Sequence, residues 1–329
     1  MAHLPPVSVV VTTYNQAPYI GEAMESVFGQ TLEPAEIIVV DDGSTDGTAE
    51  RLVQFAGRIR YIRQENQGVA ASRNTGVAAA TGEYVALLDG DDLWEPEKLA
   101  VQVPVAHEHP MTGMIVTNGT VFGEGVTSGR SLFQRLHREL RPHESVFTCK
   151  CYAEFLRGNP IVSVSQVLIP LEVLKCTGLS DRGFALSSDY DLYLRIAARY
   201  EITFISQPLV RYRYLPTSAS GPAHRRPLRW SMDDIRILKK QRSEGLPEYR
   251  GEIRKLLARM VFTTAEDAYD AGRSGNRGWA TRYLLRLMAT NPGRPWVWFF
   301  LVGLLVPHAA ARTLGKPVRR ALKAWHGRG

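Results

Sequence analysis

Tyr84-Val85-Ala86-Leu87-Leu88-Asp89-Gly90-Asp91-Asp92 reads as a buried strand that ends in three carboxylates within four residues. Such an apolar run buries its side chains in a sheet and releases the acids at its C-terminal edge, where open α/β sheets bind ligands. Oxygen-only ligands at that edge suit Mg2+ or Mn2+, which one or two carboxylates hold together with substrate phosphates. An acidic surface turn would have the same spacing, because Asp and Gly are common in turns. The neighbouring segments decide between the two.

Upstream, strand and helix signals alternate. Val7 to Thr12 is a short β-branched run, followed by a helical pattern with Ile20, Met24, Val27 and Phe28 and with Pro18 near its start. Glu36 to Val40 is the next strand, closed by Asp41-Asp42-Gly43-Ser44, and Thr45 or Asp46 can cap a helix carrying Leu52, Val53 and Phe55. A strand near Arg60 to Arg63 and a helix over Val69 to Ala80 lead to the Tyr84 strand. This alternation predicts a parallel sheet wound right-handedly. No G-x-G-x-x-G follows the first strand, so a dinucleotide site is disfavoured.

Downstream, Met114 to Phe122 and Ile161 to Ile169 read as strands, with Gly123 to His143 between them as a loop or an acceptor-side insertion. A helix over Ser188 to Arg199 precedes strands near Thr203 to Ile205 and Leu209 to Tyr214. The Pro- and Gly-punctuated stretch Ser218 to Pro227 is a boundary, and the chain beyond it reads as helical.

The 329 residues suffice for a full core and a second, smaller unit, and a hydrophobic fraction of 44% is that of an ordinary globular protein. The formal charge of +7 is concentrated after Arg211. Such a basic region suits nucleic acid, an anionic membrane surface, an acidic substrate or a solvated helix face. Cys149, Cys151 and Cys176 are too few for a disulfide framework and read as reduced thiols in a cytosolic compartment. No secretory signal is visible at Met1 to Pro6, and the longest apolar run, Trp296 to Val306, is too short to span a membrane.

Five motifs now stand in order: Thr12-Thr13-Tyr14-Asn15, Asp41 to Asp46, Asn66 to Gly76, Asp89-Gly90-Asp91-Asp92 and Ser188-Asp189-Tyr190-Asp191-Leu192. Over roughly residues 5–220 the chain resembles the inverting, non-processive family-two glycosyltransferases, which use nucleotide sugars. The resemblance implies an α/β chain of the GT-A type: a doubly wound, mostly parallel sheet flanked by helices, then a helical C-terminal region. The catalytic domain would span 1–220, with a nucleotide-sugar half to about 105 and an acceptor half beyond it. The helical region would span 221–329.

By the same resemblance Thr12, Tyr14 and Asp42 would hold the base and ribose of the donor. A core or rim aromatic at Tyr14 and a turn residue at Asp42 are the plainer alternatives. Arg73, with Asn74 beside it, would contact the diphosphate or brace the acidic motif, and an ion pair between Arg73 and an Asp is the structural alternative. Asp89, Asp91 and Asp92 form the family's metal motif, with Asp91 or Asp92 on Mn2+ or Mg2+ and Asp89 on ribose or water. Asp189 would be the general base that takes the acceptor's proton, or else a cap of its helix. Asp191 reads as structural.

Three departures from the family are legible. Ser188 stands where the family usually has Glu, and Leu215 where relatives often have a metal-proximal His, leaving His224 or Arg211, Arg213, Arg225 and Arg226 to face phosphate. Leu228-Arg229-Trp230 lacks the Gln of the processive synthases, since Arg226 stands there. The expected function is transfer of a single sugar, from UDP by default with GDP and dTDP open, to the hydroxyl of a glycan or lipid-linked acceptor in cell-surface or extracellular glycan assembly. A non-catalytic sugar-nucleotide or membrane scaffold and a sugar-phosphate nucleotidylyltransferase are the rival readings. Aromatic and basic residues from Trp296 to Lys323 suit an anionic membrane surface, or equally packing on protein or an oligomer contact. The expected location is cytoplasmic, peripheral at the inner face of the cell membrane, with no nucleic-acid partner.

Overall fold

The computed structural model describes residues 4–126, 129–133, 144–184, 186–215, 227–272, 277–291, 297, 300 and 301. The chain divides into two compact units, Met1–Arg226 and Pro227–Gly329. The stretch read as a boundary, 218–227, lies outside the described residues except for Pro227.

The first unit opens with β1 (Val7–Thr13), α1 (Ile20–Phe28), β2 (Glu36–Asp41), α2 (Thr48–Leu52), β3 (Arg60–Arg63), α3 (Val69–Ala79) and β4 (Tyr84–Asp89). The four strands are parallel in the order β3-β2-β1-β4, so β1 is central and buried throughout. Its alternate residues divide between two layers. Val7, Val9 and Val11 join the core formed with Ile20, Met24 and Val27 of α1. On the other face Val10 lies under α3, where a Cβ on Gly76 would stand 2.2 Å from Val10 Cγ1. The absence of a side chain at Gly76 is what lets α3 sit this close to the sheet.

The second half of the sheet is mixed. It contains β5 (Leu93–Trp94), α4 (Lys98–Glu108), β6 (Thr112–Gly123), β7 (Val146–Cys149), α5 (Tyr152–Leu156), β8 (Val167–Pro170), α6 (Leu171–Thr177), α7 (Ser188–Ala197) and β9 (Glu201–Tyr214). β8 runs antiparallel between β4 and β6, and β9 runs parallel to β6, giving the order β3-β2-β1-β4-β8-β6-β9-β5 with β7 added on β9. The reading as α/β with helices on a mostly parallel sheet therefore describes the first half fully, and β8 turns the remainder into a mixed, GT-A-like sheet.

Two strand expectations need correction. The run Ile161 to Ile169 is a strand only from Val167, because Ser163 caps a short 3-10 turn, Val164–Gln166, with a reciprocal bond from Gln166. The two strands expected near Thr203 and Leu209 are one strand, β9. Pro208 cannot donate to the ladder, and the register slips on either side of its partner Asn118. That irregularity is what breaks the alternation in the sequence.

The second unit consists of α8 (Pro227–Glu244), α9 (Arg250–Ala271) and α10 (Arg277–Thr290), around buried Ile235, Leu238, Ile253, Leu257, Val261, Leu284 and Leu287. Among the described residues no helix is long and apolar enough to cross a membrane. The Trp296 to Lys323 segment lies outside the described residues apart from Val297, Phe300 and Leu301, as do His224, Arg225 and Arg226 and positions 134–143 of the expected insertion.

Candidate active site

The C-terminal ends of β1, β2 and β4 meet at one sheet edge, and the chain after each is shaped by side-chain bonds to its neighbour. After β1 the backbone turns at Asn15, whose φ of 51° is left-handed, a conformation Asn tolerates. Asn15 Oδ1 accepts from Thr45 N, and the Asn15 and Gln16 amides donate to Ser44 Oγ and Thr48 Oγ1, each at 2.9 Å. These bonds leave Tyr14 on the rim, 48% exposed. A half-exposed aromatic at this sheet edge offers a flat face for a planar group, as a rim aromatic of any role would.

Asp42 is buried, and its carboxylate accepts Gln64 Nε2 at 2.7 Å, Gln67 N at 3.0 Å and Gly68 N at 2.8 Å. It thereby shapes the loop between β3 and α3. A carboxylate has about four acceptor sites, so one remains for a ligand N–H. Asp41 is satisfied by Ser44 N and the Tyr61 hydroxyl and belongs to the scaffold.

Arg73 lies on α3 and is 9% exposed. Its Nη2 is 2.9 Å from Asp89 Oδ1, and Thr12 Oγ1 donates to the same oxygen at 3.3 Å. Asp189 also acts electrostatically on the guanidinium. Three predicted site residues from separate elements, Thr12, Arg73 and Asp89, are thus brought into contact. Asn74 points elsewhere. Its amide bonds the backbone of Ser180 in both directions, at 2.8 and 2.9 Å, and ties α3 to the segment leading into α7.

The acidic motif splits by environment. Asp92 is 1% exposed, and its carboxylate accepts Ser163 Oγ and Ser165 Oγ, both at 2.7 Å, and Arg213 N at 2.9 Å. Burial, reinforced by Asp91 and Asp89, raises its pKa well above the carboxylate range. Asp92 is therefore braced by protein donors on both carboxylate oxygens. Asp91 is partly exposed, and burial followed by repulsion from Asp89 pushes its pKa up to about 6. Arg213, one of the groups expected near phosphate, is engaged by protein partners. Its Nε donates to Asp91 O at 2.8 Å, its Nη2 pairs with Glu22 Oε2 at 2.6 Å, and it holds the turn from behind. Gly90 keeps the turn close to β1, since a Cβ there would lie 2.6 Å from Gln16 Oε1 and 3.1 Å from Thr13 Cβ.

Asp189 lies in the first turn of α7, and Asn159 Nδ2 approaches its Oδ2 at 3.4 Å. The backbone amides of Asp189 and Tyr190 in that turn favour the ionised Asp189 carboxylate. Burial raises the Asp189 pKa and Asp89 adds to this, while Arg73 opposes it. Asp191 pairs with Arg195 Nε at 2.9 Å, as its structural reading requires. Cys149, Cys151 and Cys176 are free thiols.

A divalent cation fits this edge. Asp91 and Asp89 repel each other, and Gln16 Oε1 beside them is a buried acceptor with no donor. Hard oxygen donors of this kind suit Mg2+ or Mn2+. Among the described residues no group of three His, Cys, Asp or Glu side chains forms a ready metal cage. The sequence reading missed Gln16, Asn159, Ser163 and Ser165. A Ser-x-Ser pair inside an apolar run, Val162 to Val167, is the one signal that pointed to polar partners there.

Residues 8–159 match the model of Glycosyl transferase family 2. An uncharacterized glycosyltransferase of Nostoc sp. is 42% identical over 113 residues, 33% of this chain and 35% of that protein. The chain thus spans about a third of the length of that curated relative. Among solved structures, S. aureus TarS 1-349 in complex with UDP has a TM-score of 0.64 at 18% identity, covering 96% of this chain and 92% of that one. The mannosyltransferase PcManGT from Pyrobaculum calidifontis, in complex with GDP-Man and Mn2+, has a TM-score of 0.54 at 20% identity, covering 99% and 84%. At those identities the likeness is one of fold. Motif order, sheet architecture and family match agree: residues 8–159 are similar to Glycosyl transferase family 2, and the fold is of the GT-A type.

Proposed function

We propose that the chain transfers a single sugar, with inversion, from a nucleotide-sugar donor to an acceptor hydroxyl. The observation that carries this reading is the convergence of Asp89, Arg73 and Asp189 at the edge of the parallel sheet, with Arg73 2.9 Å from Asp89 and its charge felt at Asp189. Tyr14 offers a face to the base. The remaining acceptor site of Asp42 takes a base or ribose donor, and Thr12 and Asp89 line the ribose side.

Asp91, with Asp89 beside it, is the residue that would hold Mn2+ or Mg2+. When bound, such a cation neutralises the charge that builds on the departing diphosphate. Asp189, kept near the donor by Asn159 and Arg73, takes the acceptor proton as its oxygen attacks opposite the leaving group. Burial of Asp189 raises its affinity for that proton, which suits a base at neutral pH. UDP is the preferred nucleotide, supported by the TarS complex, and the GDP-Man complex of PcManGT keeps GDP open. The acceptor is a glycan or lipid-linked hydroxyl in surface glycan assembly, met in the cytoplasm at the membrane face.

Calorimetric titration with UDP, GDP and dTDP, each with and without Mn2+, tests the donor half of the proposal. Metal-dependent binding of one nucleotide supports it. A folded protein that binds none of them would be a scaffold. Asp189→Asn tests the catalytic half: it should abolish transfer and leave nucleotide binding within a few fold.

A further inference from the structure

One buried oxygen touches the acidic motif at both ends. Ser165 Oγ accepts Asp89 N at 3.1 Å and donates to Asp92 Oδ2 at 2.7 Å. Ser165 is fully buried, and its backbone is bonded as well. Its amide donates to Ser163 Oγ and its carbonyl accepts Trp94 Nε1, each at 3.0 Å. The antiparallel register of β4 and β8 pairs Ala86 with Leu168, and carrying that register onward brings Asp89 level with Ser165.

The rest of the turn is also held. Gly90 N donates to Thr12 O at 2.9 Å, Asp92 N to Asp89 O at 3.0 Å and Arg213 Nε to Asp91 O at 2.8 Å. Asp89 and Asp91 repel each other, so an unrestrained turn would relax by letting them separate. A small, hard cation binds more tightly when its oxygens are held in place before it arrives, because ordering them on binding costs affinity.

The opposite edge of the sheet offers a matched comparison. Ser8 Oγ, fully buried near the start of β1, accepts Gly82 N at 2.8 Å and donates to Glu36 Oε1 at 2.6 Å. It is the same pair of bonds, an amide and a carboxylate on one hydroxyl, away from the acidic motif.

We infer that Ser165 is a positioning residue for the cation site: by joining Asp89 N to the Asp92 carboxylate, its hydroxyl fixes the turn on which Asp91 stands. This inference rests on the proposal that Asp91 and Asp89 hold the cation.

The test compares Ser165→Ala with Ser8→Ala in the full chain. The readouts are calorimetric titration of UDP with and without Mn2+, and Mn2+ paramagnetic resonance in the presence of UDP. Each variant strands a backbone amide and removes a donor from a carboxylate, so both should lower the urea midpoint. Only Ser165→Ala should weaken Mn2+ binding, by about tenfold, with metal-free UDP binding held within about twofold. Ser165→Cys keeps a weak donor and acceptor at the same place and should restore part of the loss. If the alanine variant does not fold, the cysteine variant replaces it and must bind Mn2+ more weakly than the wild type. Wild-type Mn2+ affinity in Ser165→Ala, or in the cysteine variant that replaces it, overturns the inference. An equal loss in Ser8→Ala overturns it too, since the effect would then be one of general stability. Wild-type UDP binding that ignores Mn2+ would sink the cation proposal and the inference together, and that result is read before any variant is made.

Discussion

Arg73 Nη2 lies 2.9 Å from Asp89 Oδ1, joining the middle of α3 to the end of β4. The pair is mostly buried, with side-chain exposures of 11% and 28%. In the same place the guanidinium feels the charge of Asp189 from α7. The ion pair anticipated as the structural alternative for Arg73 and the proposed role at the donor are therefore compatible. The arginine braces the acidic motif and links it electrostatically to the base.

Arg73→Met leaves Asp89 with only the long bond from Thr12. Breaking a buried pair by removing one partner costs about 3–5 kcal/mol, and the partial exposure of Asp89 favours the lower end. Urea unfolding should show that loss as a lower midpoint at an unchanged slope. Nucleotide binding should fall in parallel.

Asp91→Ala and Asp92→Ala should separate cleanly. Asp91 is repelled by Asp89, so its removal should leave the melting temperature unchanged or raised and reduce Mn2+-dependent nucleotide binding at least tenfold. Removing Asp92 strands two serine hydroxyls and the Arg213 amide, each costing about 1–3 kcal/mol if left unbonded. That variant should lose stability first. Thermal unfolding and calorimetry on both proteins check the contrast.

The rate of transfer should rise with pH through the titration of Asp189. Its pKa is raised by burial, and only the deprotonated carboxylate can act as a base. The acid limb should therefore lie above the ordinary carboxylate range and vanish, together with activity, in Asp189→Asn. The pH dependence of kcat measured at saturating donor is the check.

Gly76→Ala should destabilise the fold by about 1–3 kcal/mol, the usual cost of overpacking a core. The new Cβ would meet Val10 Cγ1 at 2.2 Å and Val40 Cγ2 at 3.3 Å. Val10→Ala should recover part of the loss by making room. Denaturant midpoints of the two single variants and the double variant measure this.

The β1 to β4 alternation was legible because β1, β2 and β4 are short apolar runs and α1 has a clear apolar face. The second half was harder to read. Pro208 and the register slips around it disguise one strand as two, and the Ser163 cap shortens a third. Pro104 lies inside α4, where a proline normally argues against a helix. Among the motif residues, Thr12, Asp89, Asp91 and Asp189 could be named from motif order, but their division of labour could not.

The sequence by itself determined the parallel half of the sheet, the strand ends that carry polar residues and the family that their order resembles. Those features depend on neighbours along the chain: periodicity, turn chemistry and the spacing of acids. Only the tertiary structure decided that Asp92 bonds Ser163 and Ser165 while Asp91 stays partly exposed, and that Asn74 bonds Ser180. Adjacent carboxylates are alike in a sequence. Burial and the donors contributed by distant segments, Ser163 and Ser165 for one acid and Gln16 for the partly exposed other, are what make them chemically different.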